Sequence, residues 1–129
     1  DLLRAKDLIK SAQNSYQSIQ EIIEKIGMNE NNINQIITSS YDIILELIRA
    51  IMNREGYSAA GFGAHEAEVS YLKELNFLED EIIFTNQLRS FRNNVTYYGK
   101  QLDKEYAKKT LKFLDTIYKK LRSKLEEEN

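Results

Sequence analysis

From Leu2 onward the apolar positions Leu2, Ala5, Ile9, Ala12, Tyr16, Ile19, Ile23 and Ile26 recur at steps of three and four. That spacing keeps side chains on one face of a helix with 3.6 residues per turn, so the pattern predicts a helix near 2–27. Gly27 suits its C-terminal cap, where a left-handed backbone favours glycine. After the polar run MNENNIN, in which Asn31 or Asn32 can cap the next element, the same rhythm returns. Ile33, Ile37, Ser40, Ile44, Leu47 and Ile51 predict a second helix near 32–54.

The stretch from Glu55 to His65, EGYSAAGFGAH, is small and glycine-rich and reads as a loop. Beyond it, Val69 and Leu72 give a short helix near 65–75 a modest apolar edge. Phe84, Leu88, Phe91, Val95 and Tyr98 line a helix near 79–98, and Tyr106, Thr110, Leu114, Ile117, Leu121 and Leu125 line one near 103–126. The chain has no proline and only 5 glycines, three of them (Gly56, Gly61 and Gly63) in that one loop, which fits long helices broken at few places. A helix of about 20 residues runs ~30 Å, and a short connection cannot return to its start, so neighbours are antiparallel. The fold expected is all-α: an antiparallel four-helix bundle with one additional short helix, a single domain over residues 1–129. Its core is expected to include Ile9, Ile19, Ile23, Ile37, Ile44, Leu47, Leu88, Phe91, Val95, Leu114 and Ile117.

Composition narrows the chemistry. Hydrophobic residues make up 42% and charged residues 29%, ordinary values that exclude the low-hydrophobicity signature of disorder. Net charge is -2 and the sequence pI is near 5.5, so any nucleic-acid contact must be local rather than a property of the whole surface. The absence of cysteine excludes disulfides, thiol nucleophiles and cysteine-based zinc sites, and a single histidine, His65, excludes multi-histidine metal sets. No cofactor or metal is expected. No apolar run approaches the ~20 residues of a membrane span, and the start DLLRAKDLIK lacks the layout of a signal peptide. A soluble, cytoplasmic protein with no membrane partner is therefore expected.

The most informative stretch is QLRSFRNNVTYYGK, Gln87 to Lys100. At ~100° per residue, Leu88, Phe91, Val95 and Tyr98 cluster on one side, while Arg89, Arg92, Asn93, Thr96 and Tyr97 form a polar stripe expected to serve no purpose in the protomer core. A polar outer face needs no function. A guanidinium fork held at the edge of the apolar face, with an amide and a phenol nearby, can nevertheless grip a phosphate and stack on a base. Arg92 is the better placed of the two arginines, and Arg89 is expected to be less constrained.

The run Phe91-Arg92-Asn93-Asn94-Val95-Thr96-Tyr97-Tyr98-Gly99 resembles the signature of the HEPN domain family, nucleotide-binding helical domains of higher eukaryotes and prokaryotes. In that signature an Arg, commonly followed by Asn, precedes a His by four to six residues on a late helix. The upstream order is similar too: Glu55-Gly56-Tyr57 ends one helix, a small-residue loop follows, and His65 opens a short helix before the motif helix. The resemblance implies an RNA- or nucleotide-associated domain, generally homodimeric, with Arg92, Asn93, Tyr97 and Arg89 as the ligand-binding residues. It also implies a small nucleotidyltransferase as a partner, in the manner of toxin-antitoxin pairs. Tyr97 stands where the family's ribonucleases carry the histidine. An unperturbed tyrosine has a pKa near ~10, so it is a poor proton carrier at neutral pH. RNA cleavage is therefore expected to be weak or absent, with two alternatives: a non-enzymatic interaction domain, or an active metal-independent endoribonuclease.

The remaining motifs read as structure. His65 is expected to pack its ring on a neighbour, although it is the one side chain able to replace the missing base. Gly61-Phe62-Gly63 lacks the Lys-Ser/Thr of a phosphate-binding loop and reads as a turn. Glu79, Asp80 and Glu81 suit a helix start, where the dipole favours negative charge. Ser39 and Ser40 have no activating neighbour in sequence.

Overall fold

Among the residues described by the computed structural model, five helices follow one another: α1 (Leu2–Lys25), α2 (Ile33–Arg54), α3 (Ala64–Glu74), α4 (Glu79–Tyr98) and α5 (Lys104–Glu127). The structure describes residues 1–61, 63–98 and 102–127, and the side chains of these apart from 95–98 and 127. Among the described residues there is no strand.

Several helix ends fall where the chain supplies partners for the backbone groups a helix leaves unpaired. The Asp1 carboxylate accepts from the Arg4 N–H at 3.1 Å. At the other end of α1, Ile26 and Gly27 both donate to the Ile22 carbonyl, with Gly27 at φ 80° as its position in the sequence predicts. Asn32 precedes α2 but does not cap it with its side chain. Its amide instead accepts from the Asn29 N–H and donates to the Gly27 carbonyl, so it braces the connection rather than the helix. Before α4 the Glu81 carboxylate reaches back to the Leu78 N–H at 2.9 Å, half of a capping box. Asp103 accepts from the Tyr106 N–H at 2.8 Å and starts α5.

Cross-connections fix the directions. The Asp1 amino group donates to the Asn53 carbonyl at 2.7 Å, so α1 runs antiparallel to α2. Asn34 accepts from the Leu102 N–H at one end and Arg54 donates to the Leu125 carbonyl at the other, so α2 and α5 run parallel. Glu81 pairs with Lys120, and Phe91 meets Tyr106 edge-on at 4.7 Å, so α4 runs against α5. The result is a four-helix bundle with α2 and α5 in contact across its centre, α1 and α4 flanking them, and α3 laid against α2 and α4.

α2 buries residues around most of its circumference and leaves one polar strip that carries Gln35, Asp42, Glu46, Arg49 and Asn53. Besides Ile37, Ile44 and Leu47, it fully buries Ile36, Ile43 and Ile48, positions off the single face that periodicity assigns it. Ile19, Leu88, Leu114 and Ile117 are buried as the spacing predicts. Ile9, Ile23 and Phe91 are not: each is only partly buried. α1 lies at the flank and inserts a narrow seam, Ala5, Ala12 and Ile19, seven residues apart. Ile9 and Ile23 fall on its margins, and Leu2 and Ile26 are exposed. Phe91 sits at the rim against Tyr106, and the expected core position Val95 lies outside the described side chains. Among the described residues no helix is long and apolar enough to cross a membrane.

Candidate functional site

Polar residues that interrupt the apolar run of α2 meet partners from α3 and α4. Arg92 points toward α2, where its Nη1 donates to both carboxylate oxygens of Asp42 at 2.7 and 2.6 Å. The stripe expected to stand apart from the protomer thus ties α4 to α2 through its central residue. The helical spacing placed Arg92 at the edge of the apolar face correctly, but it carried no information about which residue lies opposite. Both partners stay accessible, with side-chain exposures of 36% for Arg92 and 46% for Asp42. Among the described residues, Arg92 Nε and Nη2 have no hydrogen-bond partner.

Arg89, one turn earlier, donates from Nε to the Asn86 side chain at 3.2 Å and has no carboxylate in pairing distance among the described residues. It is half-buried, and Asn93 is exposed. The side chain of Tyr97, the fourth expected ligand-binding residue, lies outside the described residues.

Two turns along α2 from Asp42 a second pair forms. Arg49 meets Glu68 of α3 with both arms of its fork, Nε to Oε2 at 2.5 Å and Nη2 to Oε1 at 3.1 Å. Glu68 is nearly closed off from solvent, at 4% exposure. Its hydrogen bond pushes the Arg49 guanidinium higher still, outweighing the opposing effect of burial. Tyr41, next to Asp42 on α2, is fully buried, and its hydroxyl has no hydrogen-bond partner among the described residues. Burial pushes its phenol up to about 12, against a smaller downward pull from the Arg89 guanidinium.

Tyr41, Asp42, Arg49 and Glu68 were missed in the sequence. The available signal was three charges, Asp42, Glu46 and Arg49, set among apolar residues of one helix. A charge in such a place must be paired, because burying it alone is costly.

The other candidates take structural positions. The His65 ring packs against Tyr41, with centroids 6.3 Å apart, and makes no hydrogen bond among the described residues. Ser40 donates to the Ile36 carbonyl at 2.7 Å and is buried, so no base reaches it. Glu81 is held by Lys120 Nζ at 2.8 Å as well as by its capping bond. Gly61 and Gly63 both take positive φ, as a turn requires, and Phe62 lies outside the described residues. Among the described residues no group of three or more carboxylates, histidines or cysteines is gathered to hold a metal.

What remains as binding chemistry is a pair of guanidinium groups on consecutive turns of α4, one braced by a half-exposed carboxylate and one without an acidic partner. That arrangement can hold an anion, and it contains no paired acid and base for proton transfer among the described side chains. No protein-family model, curated protein or solved structure matches this chain.

Proposed function

We propose that the chain is a HEPN-like domain that binds a phosphate-bearing ligand, RNA or a nucleotide, through Arg92 and Arg89 of α4, and that it cleaves RNA weakly or not at all. The observation that carries this reading is the state of Arg92. It is oriented by Asp42 through one nitrogen, it is accessible, and its other donors point to no partner among the described residues. Preorientation lowers the ordering cost of a second, bidentate contact to a phosphate. Catalysis lacks comparable support: the motif position of the histidine is Tyr97, and the His65 ring is packed on Tyr41.

The test is a cleavage and binding assay on mixed single-stranded RNA with the wild type, Tyr97→His and Arg92→Ala. Binding without cleavage is expected from the wild type, weakened binding from Arg92→Ala, and increased cleavage from Tyr97→His, since general acid-base groups contribute ~10²–10⁴-fold. Robust cleavage by the wild type that vanishes in Arg92→Ala would overturn the non-catalytic part.

A second reading is assembly, as a homodimer with α4 at or near the two-fold axis, or with a small nucleotidyltransferase. Leu78 and Ile83 near the start of α4 are exposed, and a contact there would cover them. Sedimentation at tens of micromolar distinguishes it: a monomer unchanged by Ile83→Asp leaves ligand binding alone.

A further inference from the structure

We infer that Asp42 is a built-in competitor for the anion site, a carboxylate that occupies Arg92 in the free protein and must yield Nη1 when a phosphate arrives. The inference rests on the reading of Arg92 as an anion-binding group and adds how that group is controlled. Asp42 presents both oxygens to a single nitrogen of the guanidinium, at 2.7 and 2.6 Å. This is the position a phosphate oxygen would take to engage the same edge of the fork.

Three features make the contact displaceable rather than structural. Both side chains are more than a third open to water, so the pair is screened and holds α2 to α4 only loosely. The geometry is single-nitrogen, whereas Arg49 grips Glu68 with two nitrogens and a buried carboxylate. Finally, a phosphate brings more acceptor oxygens than a carboxylate and, as a monoester, up to about two negative charges, so it can outcompete Asp42 for the arginine. While Asp42 remains in place it also repels the incoming anion. Its removal acts twice, by releasing a donor and by removing a like charge.

The experiment titrates a short fluorescein-labelled single-stranded RNA, followed by anisotropy, into the wild type, Asp42→Asn, Arg92→Ala and the double variant. Inorganic phosphate and adenosine monophosphate as competitors tell a diester from a monoester ligand. Asp42→Ser serves as a second variant, and circular dichroism confirms folding of each protein. Asp42→Asn is expected to bind about three- to tenfold tighter than the wild type. The double variant should bind only slightly tighter than Arg92→Ala, by the like-charge part alone.

A gain of equal size in the Arg92→Ala background would mean only that a negative charge had been removed, and would overturn the inference. So would Asp42→Asn and Asp42→Ser binding no tighter, or more weakly, while Arg92→Ala still loses affinity: Asp42 would then orient Arg92 without competing, and Arg92 would keep its binding role. Arg92→Ala indistinguishable from wild type, or no binding by any of the five proteins, would overturn the anion site and the inference together.

Discussion

The two ion pairs of α2 use the same chemistry to opposite ends. Arg49–Glu68 and Arg92–Asp42 both join α2 to a neighbouring helix, and each involves one arginine and one carboxylate. In the first, the carboxylate is almost completely buried and the fork is fully used, so the pair cannot open without leaving a charge stranded. In the second, the carboxylate is nearly half exposed and one nitrogen does all the donating, so water or another anion can replace it. Burial of the acid, rather than the presence of an ion pair, separates a contact that holds the fold from one that can take part in binding.

The comparison is calibrated by the apolar core next to both pairs. Leu47→Ala, at a fully buried α2 position, should cost about 2–5 kcal/mol in urea denaturation, from lost transfer energy and the cavity left behind. Glu68→Gln should cost somewhat less, about 2–3 kcal/mol, because Arg49 loses a charged acceptor yet is itself partly exposed and can be rehydrated. A loss under about 1 kcal/mol would show that this pair is no more structural than the other. Asp42→Asn should change stability by less than about 1 kcal/mol. A larger loss in the same denaturation experiment would remove the distinction between the pairs from the opposite direction.

The smallest effect belongs to Tyr41, next to Asp42 on α2. Its hydroxyl is buried without a partner among the described residues, so Tyr41→Phe should be neutral or stabilising by up to about 1 kcal/mol, measured as a shift in the urea midpoint. A clear loss would mean that the hydroxyl is satisfied in solution. The phenol also sets a pH signature. Its pKa in the folded chain is raised to about 12, chiefly by burial, above the ordinary tyrosine value near 10. The folded state therefore holds its proton more tightly, and the stability this contributes is full below pH ~10 and is lost as pH rises toward about 12. Tyr71 and Tyr106, also raised to about 12 mainly by burial, add to the same decline. Alkaline unfolding followed by tyrosinate absorbance should be shallower in Tyr41→Phe than in wild type.

Much of the bundle was legible before any coordinates. Steps of three and four set the five helices within a few residues, Gly27 marked an end that the backbone uses, and the lack of proline and cysteine left long uninterrupted helices as the economical solution. Periodicity reports one face at a time, however, and that is where it fell short. It gave α1 a broad apolar face of which only Ala5, Ala12 and Ile19 are buried, and it gave α2 one narrow face although that helix is buried around most of its circumference. The number of neighbours a helix acquires is a property of the assembly, set by how much apolar surface the other helices also need to cover.

The candidate site divides in the same way. Arg92 and Arg89 were identifiable because their spacing on one helix and their neighbourhood in the motif are local facts. Asp42, fifty residues away in sequence from Arg92, was not, since an ion pair between helices is decided by their direction, rotation and register. Sequence determined which charges this chain has available and which faces of its helices carry them. Tertiary structure alone decided which carboxylate each arginine meets and how much water remains around the pair, because screening and desolvation depend on everything packed nearby.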